Sequence, residues 1–147
     1  MNKAKISDYD AIVSLFKKQR GIFTHISEMY LKEQIYKKTV IYQDGVVIIA
    51  RKNHIGVQID EKTVAEKNDW FVNQIVATRK GNGSAKRVFK EFLKDKKTVW
   101  LYVKRSNKRA VNFYKKMGFK IASRVTWFMM GNKNIPGYVM VRKNTKV

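Results

Sequence analysis

The chain has 147 residues, 44% hydrophobic and 12% aromatic, enough apolar material for one globular domain with its own core. Thirty-two Lys and Arg stand against eleven Asp and Glu, a formal charge of +21. That excess goes beyond what solubility requires and attracts polyanions, nucleic acid first among them. There is no cysteine, which excludes disulfides, a thiol nucleophile and cysteine-based zinc sites, and two distant histidines offer no His-rich metal centre.

No apolar run approaches the roughly 18 residues of a membrane span. The opening MNKAKISDYDAI has Asp8 and Asp10 where a signal peptide needs an apolar core. The expectation is a soluble cytoplasmic protein without a membrane partner.

In chain order, Ser7 to Gln19 predicts a helix capped by Ser7, with Asp8 and Asp10 in its first turn and Ala11, Ile12, Leu15 and Phe16 at 3.6 spacing. SEMYLKEQIYKK predicts a second helix capped by Ser27. TVIYQDGVVIIARK is two apolar runs about Asp44-Gly45, a hairpin signal. HIGVQID predicts a short strand, and residues 61–69 a polar connection. WFVNQIVAT is a strand, followed by TRKGNG and a helix from Ser84 to Lys94 with Ala85, Val88, Phe89, Phe92 and Leu93 on one face. TVWLYVK is a strand. SNKRAVNFYKKMG is a helix ended by Gly118. FKIASRVTWFMM and GYVMVRK are closing strands joined through GNKNIP. This order predicts a mixed α/β (α+β) fold with helices packed on a sheet.

The stretch TRKGNGSAKRVFKEFL holds the first candidate chemistry. A strand that enters a helix through Gly81 and Gly83 offers unpaired amides and a helix dipole to an anion, and Arg79 and Lys80 add charge. The P-loop spacing is absent, and a GxGxxG pattern fails because position 86 is Lys. A plain structural turn explains the glycines equally well.

The segment NKRAVNFYKKMGF, Asn107 to Phe119, lies one strand later. With the loop it resembles the GNAT superfamily of N-acetyltransferases. There a strand leads into a (Q/R)xxGxG loop that holds the pyrophosphate of coenzyme A, and a later NxxAxxFYxxxGF segment lies near the pantetheine arm. Asn107, Ala110, Phe113, Tyr114, Gly118 and Phe119 match the second pattern in register; Gly81 and Gly83 match the first, with Thr78 at its Gln/Arg position and Arg79 one place off.

The resemblance covers nearly the whole chain. It implies a single GNAT-like acyltransferase domain over residues 1–147, with a mixed central sheet carrying helices on both faces. It implies acetyl-CoA as the cofactor, held by Ile75, Val76, Arg79, Lys80, Gly81, Asn82, Gly83, Ser84, Asn107 and Tyr114. Ile75 and Val76 would pair with pantetheine like an added strand. Tyr114 looks like the acid that protonates the departing thiol, or else a core tyrosine. Asn107 either contacts the cofactor or caps its helix.

The general base is less apparent. Members that acetylate protein N-termini can carry a Glu in a WLEV-like run, where this chain has Tyr102. His25, Glu28 and Asp69 are the candidates, His25 for its suitable pKa range.

In this superfamily the acceptor site is built by the first two helices and the closing hairpin. Those segments here mix cations and aromatics: Arg20, Phe23, Lys32, Lys37 and Lys38 in one, Arg124, Trp127, Phe128, Lys133 and Tyr138 in the other. Such mixtures suit phosphate contact with base stacking, although strand aromatics also pack cores. The chain also loosely resembles compact phage Mom-type members that modify DNA bases.

The implied function is acetyl transfer to an amine on or near nucleic acid, a DNA base or a tRNA-linked amine. The alternatives are a protein lysine or N-terminal acetyltransferase and a catalytically degenerate GNAT-fold protein that binds nucleic acid or acts as an inhibitor. Both monomer and homodimer are open.

Overall fold

The computed structural model describes residues 1–18, 28–77, 83–129 and 133–146. The chain divides into two compact units, Met1–Arg51 with Asn73–Leu93, and Lys52–Val72 with Lys94–Val147. The elements run α1 (Tyr9–Lys18), α2 (Glu28–Tyr36), β1 (Val40–Gln43), β2 (Val46–Lys52), β3 (Val57–Gln58), β4 (Val64–Ala65), β5 (Trp70–Ala77), α3 (Ser84–Leu93), β6 (Thr98–Lys104), α4 (Lys108–Lys116), β7 (Lys120–Met129) and β8 (Lys133–Lys143). Six strands form a mixed sheet in the order β1-β2-β5-β6-β8-β7, and β3 and β4 pair separately. No described helix is long and apolar enough to cross a membrane.

In the first unit, the predicted hairpin forms at the predicted place. β1 pairs antiparallel with β2 from Gln43–Val46 to Val40–Ile49. Asp44 and Gly45 both take positive φ, 51° and 73°, the backbone of a two-residue turn whose twist matches its strands. Ile12, Leu15 and Phe16 of α1 and Leu31 and Ile35 of α2 pack with Val40, Val47, Ile49 and Val76. The amphipathic face of α3 buries Val88, Phe89, Phe92 and Leu93. The Phe89 and Phe92 rings lie 6.0 Å apart, and each fully buried ring contributes about 2–3 kcal/mol. On its outer side, Glu91 accepts from Gln43 Nε2 at 3.1 Å and Arg87 lies 3.8 Å from Asp44.

Two expectations are corrected here. The first helix is not capped by Ser7. A 3-10 turn, Ile6–Asp8, precedes α1, and Asp8 reaches back to accept from the Lys5 amide at 2.8 Å. Ser7 lies inside that turn, and the extended residue before the turn, the position a cap takes, is Lys5 (φ −106°, ψ 161°). Ala11 is exposed, not part of the buried face. The proposed Ser27 cap lies outside the described residues.

The second unit holds the parallel pairing of β5 with β6, at Trp70–Val99, Phe71–Trp100 and Val72–Leu101. β8 lies against β6 along seven positions and against β7 from Lys120–Val141 to Met129–Lys133, with a bulge between Ile121 and Ser123. Phe71, Trp100, Val139 and Ala65 form its core. Two further corrections arise. Residues 61–69 are not merely a connection, because Val64–Ala65 pairs with Val57–Gln58 and Ala65 is fully buried. The closing connector is shorter than GNKNIP, since β8 already begins at Lys133. Pro136 lies one residue past the end of the β6–β8 ladder at Lys104–Gly137, where a missing N–H is tolerated, and its carbonyl still accepts from the Arg105 amide at 3.1 Å.

Candidate active site

The second sequence motif is a short helix with both ends closed. Asn107 stands just before α4, and its Oδ1 accepts from the Ala110 amide at 3.2 Å, the N-cap geometry. Its backbone carbonyl takes the Val111 amide at 3.0 Å. Asn107 therefore caps its helix, and only its side-chain NH2 is left as an atom to turn toward a ligand.

At the other end, Gly118 has φ of 97°. Its amide donates to the Lys115 carbonyl at 3.1 Å, and the Phe119 amide to the Tyr114 carbonyl at 3.0 Å. These paired bonds are a Schellman cap, which needs the left-handed residue that glycine supplies without strain. Arg142 completes the end by donating from Nε to the Met117 carbonyl at 3.2 Å, a cation at the negative pole of the helix.

Tyr114 is thereby fixed in position. Its ring meets Phe113 and Phe119 edge to face, with centroids 5.6 Å and 5.8 Å away. Burial pushes its phenol up from the ordinary tyrosine value, because the phenolate would have to shed water without a compensating charge. The group stays protonated through the physiological range. That suits a proton donor and disqualifies it as a base.

In the first unit, the loop that leads into α3 places Gly83 with φ of 80° as the cap whose carbonyl takes the Arg87 amide at 3.0 Å. Among the described residues, nothing lies within 4 Å of where a Cβ on Gly83 would sit. The first amides of α3, from Ser84 onward, have no carbonyl one turn back within the helix. Ser84 is buried. Val76 belongs to the core and Ile75 is half-buried, both on β5. Thr78, Arg79, Lys80, Gly81 and Asn82 lie outside the described residues.

The base candidates separate. His25 lies outside the described residues, and Glu28 opens α2. Asp69 is tied into the scaffold: its Oδ2 accepts from the Trp100 indole at 2.8 Å and from the Glu66 amide at 2.8 Å. Its carbonyl also takes the Asn53 amide at 2.8 Å. Only Oδ1 is left for proton transfer. Among the described residues no group of three or more His, Cys, Asp or Glu could hold a metal ion.

One site-side feature went beyond the sequence reading. Tyr102 is half exposed, and its ring stacks on Phe71 at 5.7 Å and 14°. Phe71 in turn stacks on Trp100 at 6.3 Å. The signal was present in WLYV, since residues two apart on a strand share a face. The partner, 31 residues upstream on β5, was not. Of the acceptor-side residues, Arg20 and Phe23 lie outside the described set. Lys32 sits over the Tyr9 ring at 4.9 Å, Lys37 pairs with Glu33 at 2.8 Å, and Arg105 lies over Tyr138 at 5.9 Å.

No protein-family model matches the sequence, and no curated protein matches it. Solved structures do. Arabidopsis thaliana NAA60 in complex with a bisubstrate analogue is similar at TM-score 0.70 and 16% identity, covering 98% of both chains. The ribosomal-protein-S18-alanine N-acetyltransferase from Escherichia coli is similar at 0.69 and 16%, over 97% of this chain and 91% of that one. A GNAT-family acetyltransferase from Bacillus cereus is similar at 0.69 and 17%, over 97% and 95%. At these identities the likeness is one of architecture, and on it this chain has the fold of the GNAT acetyltransferases.

Proposed function

We propose that the protein is an acetyl-CoA-dependent N-acyltransferase, a single GNAT-like domain whose acceptor amine lies on or near nucleic acid. The observation that carries the reading is the doubly capped α4, which holds Tyr114 in place within a chain of this fold, while burial keeps its phenol protonated. Bound acetyl-CoA would supply an activated thioester and a thiol leaving group. The residues present fit it. The first amides of α3, and the side of Gly83 left open by the described residues, suit a pyrophosphate, with the basic Arg79 and Lys80 beside them in sequence. The backbone of Ile75 and Val76 would pair with the pantetheine amides, and the Asn107 NH2 is the atom of that residue left for a cofactor contact. Tyr114 would hold the proton that the departing sulfur takes up.

His25, Glu28 and the remaining oxygen of Asp69 are the base candidates, with an ordered water path as the other route for the amine proton. The charge of +21 supports a polyanionic acceptor, and the likeness to Mom-type DNA-modifying proteins belongs with this reading. Protein N-terminal acetylation is the second reading, favoured by the similarity to NAA60 and the S18-alanine enzyme.

The test is transfer of label from acetyl-CoA carrying a radioactive acetyl group, offered duplex DNA, tRNA and a ribosomal protein mixture in separate reactions. Label in nucleosides or on tRNA supports the proposal. Label confined to protein favours the second reading, and no transfer to any acceptor rejects catalysis.

A further inference from the structure

The positive charge is not spread evenly along the chain. All eleven acidic residues lie at or before Asp95, whereas fourteen Lys and Arg follow it. A general lysine bias would not also remove every acid from the last 52 residues. The ion pairs Lys37–Glu33, Arg87–Asp44 and Lys96–Asp95 all use acids at or before Asp95. The cations of α4 have no such pairs: among the described residues Lys108, Arg109, Lys115, Lys116 and the following Lys120 enter no ion pair.

The geometry of α4 concentrates them. Its exposed residues are Lys108, Arg109, Asn112, Lys115 and Lys116. At 3.6 residues per turn these five fall within an arc of about 120°. The arc holds four cations and one amide, with no acid and no apolar side chain. From Lys108 to Lys115 it runs about 11 Å, against an axial phosphate spacing of about 3.4 Å on each strand of a duplex. Folding stability does not select this arrangement. Lys115 and Lys116 favour the helix dipole, but Lys108 and Arg109 sit at its positive end and oppose it.

We infer that the outer face of α4, continued by Lys120, is a docking surface for the phosphodiester backbone of nucleic acid. The inference rests on the nucleic-acid reading proposed above and names the surface that would serve it. The contacts are to phosphate, so the face positions the polymer without reading its bases.

The test is binding of fluorescent duplex DNA and duplex RNA of one sequence across a salt series. It compares the wild type, a variant with Lys108, Arg109, Lys115 and Lys116 changed to Gln, and a control with Lys5, Lys17, Lys62 and Lys67 changed to Gln. Both variants lose the same charge, and thermal melts check that each is folded. The first variant removes two cations at each end of the helix, so its dipole balance is nearly kept.

The expected result is that the α4 variant flattens the slope of log K against log salt by about 3 to 4, while the control stays within about 1 of wild type. The polymer bound more tightly at fixed salt identifies DNA or RNA as the natural source of the phosphates. Equal flattening by the two variants overturns the α4 surface and leaves the nucleic-acid reading standing. Failure of the wild type to bind either duplex at low salt overturns both.

Discussion

The amide of Phe119 donates to the carbonyl of Tyr114 at 3.0 Å, and the two rings meet edge to face 5.8 Å apart. One residue thus closes the helix that carries the other and packs against its ring. The FYxxxGF spacing is the spacing of this cap: the left-handed Gly118 lets the chain turn back so that Phe119 reaches Tyr114.

Gly118→Ala is expected to cost about 1–2 kcal/mol, because an Ala at φ of 97° pays the left-handed penalty. The added methyl would itself meet Arg142 only at an ordinary 3.5 Å, so backbone strain, not crowding, sets the loss. Urea unfolding measures it. An unchanged midpoint would mean that the cap does not hold α4.

Tyr114→Phe separates chemistry from fold. Turnover is expected to fall about 100-fold or more, with acetyl-CoA affinity nearly constant. The phenol also makes a pH prediction. Its folded pKa is raised above the ordinary 10.0, so the folded state holds the proton that the unfolded chain releases. The contribution is fully present below about pH 10 and is lost as pH climbs from there through the folded value. At pH 11 the wild type should have lost on the order of 1 kcal/mol more than Tyr114→Phe, relative to pH 8. Identical alkaline losses in the two proteins would contradict the buried, neutral phenol.

Asn107 can be dissected by two substitutions. Asn107→Ala should lower stability by about 1 kcal/mol through loss of the N-cap. Asn107→Asp should keep the cap, since a carboxylate accepts from the Ala110 amide equally well, while it removes the NH2 donor. Weaker acetyl-CoA binding in both variants would assign that donor to the cofactor, whereas weakening in the Asp variant alone would report repulsion by its carboxylate. Unchanged affinity in both would leave Asn107 a cap and nothing more.

Asp69→Ala is expected to cost about 1–3 kcal/mol, because the buried Trp100 indole N–H loses its acceptor. The folded fraction should keep its specific activity. A stable Asp69→Ala protein with no turnover would instead mark Asp69 as the base.

The parts of this fold that were legible in the sequence are local. Asp44-Gly45 announced a hairpin because both residues tolerate positive φ, and Asn107 with Gly118 announced a helix because caps are written within a few residues of the ends they close. What escaped notice depends on distant partners. β4 is two residues long and has a single fully buried side chain, Ala65, so no alternation marks it. Asp69 read only as a base candidate, because its indole partner lies 31 residues away. Ser7 lost its expected capping role because a 3-10 turn that Asp8 closes back onto the Lys5 amide starts before it. The same limit applies to the site: the Tyr114 cap could be read from the motif, whereas the stacking of Tyr102 on Phe71 needed the register of β5 beside β6.

The most direct test of the account is a calorimetric titration of the protein with acetyl-CoA, beside a Gly83→Trp variant. Among the described residues nothing stands where the indole would cover the start of α3, and because Trp at φ of 80° also carries a backbone penalty, a thermal melt confirms that the variant is folded. The account predicts saturable one-site binding by the wild type and binding at least about tenfold weaker in the variant, a loss of roughly 1.4 kcal/mol. No heat of binding by the folded wild type at millimolar acetyl-CoA would contradict it.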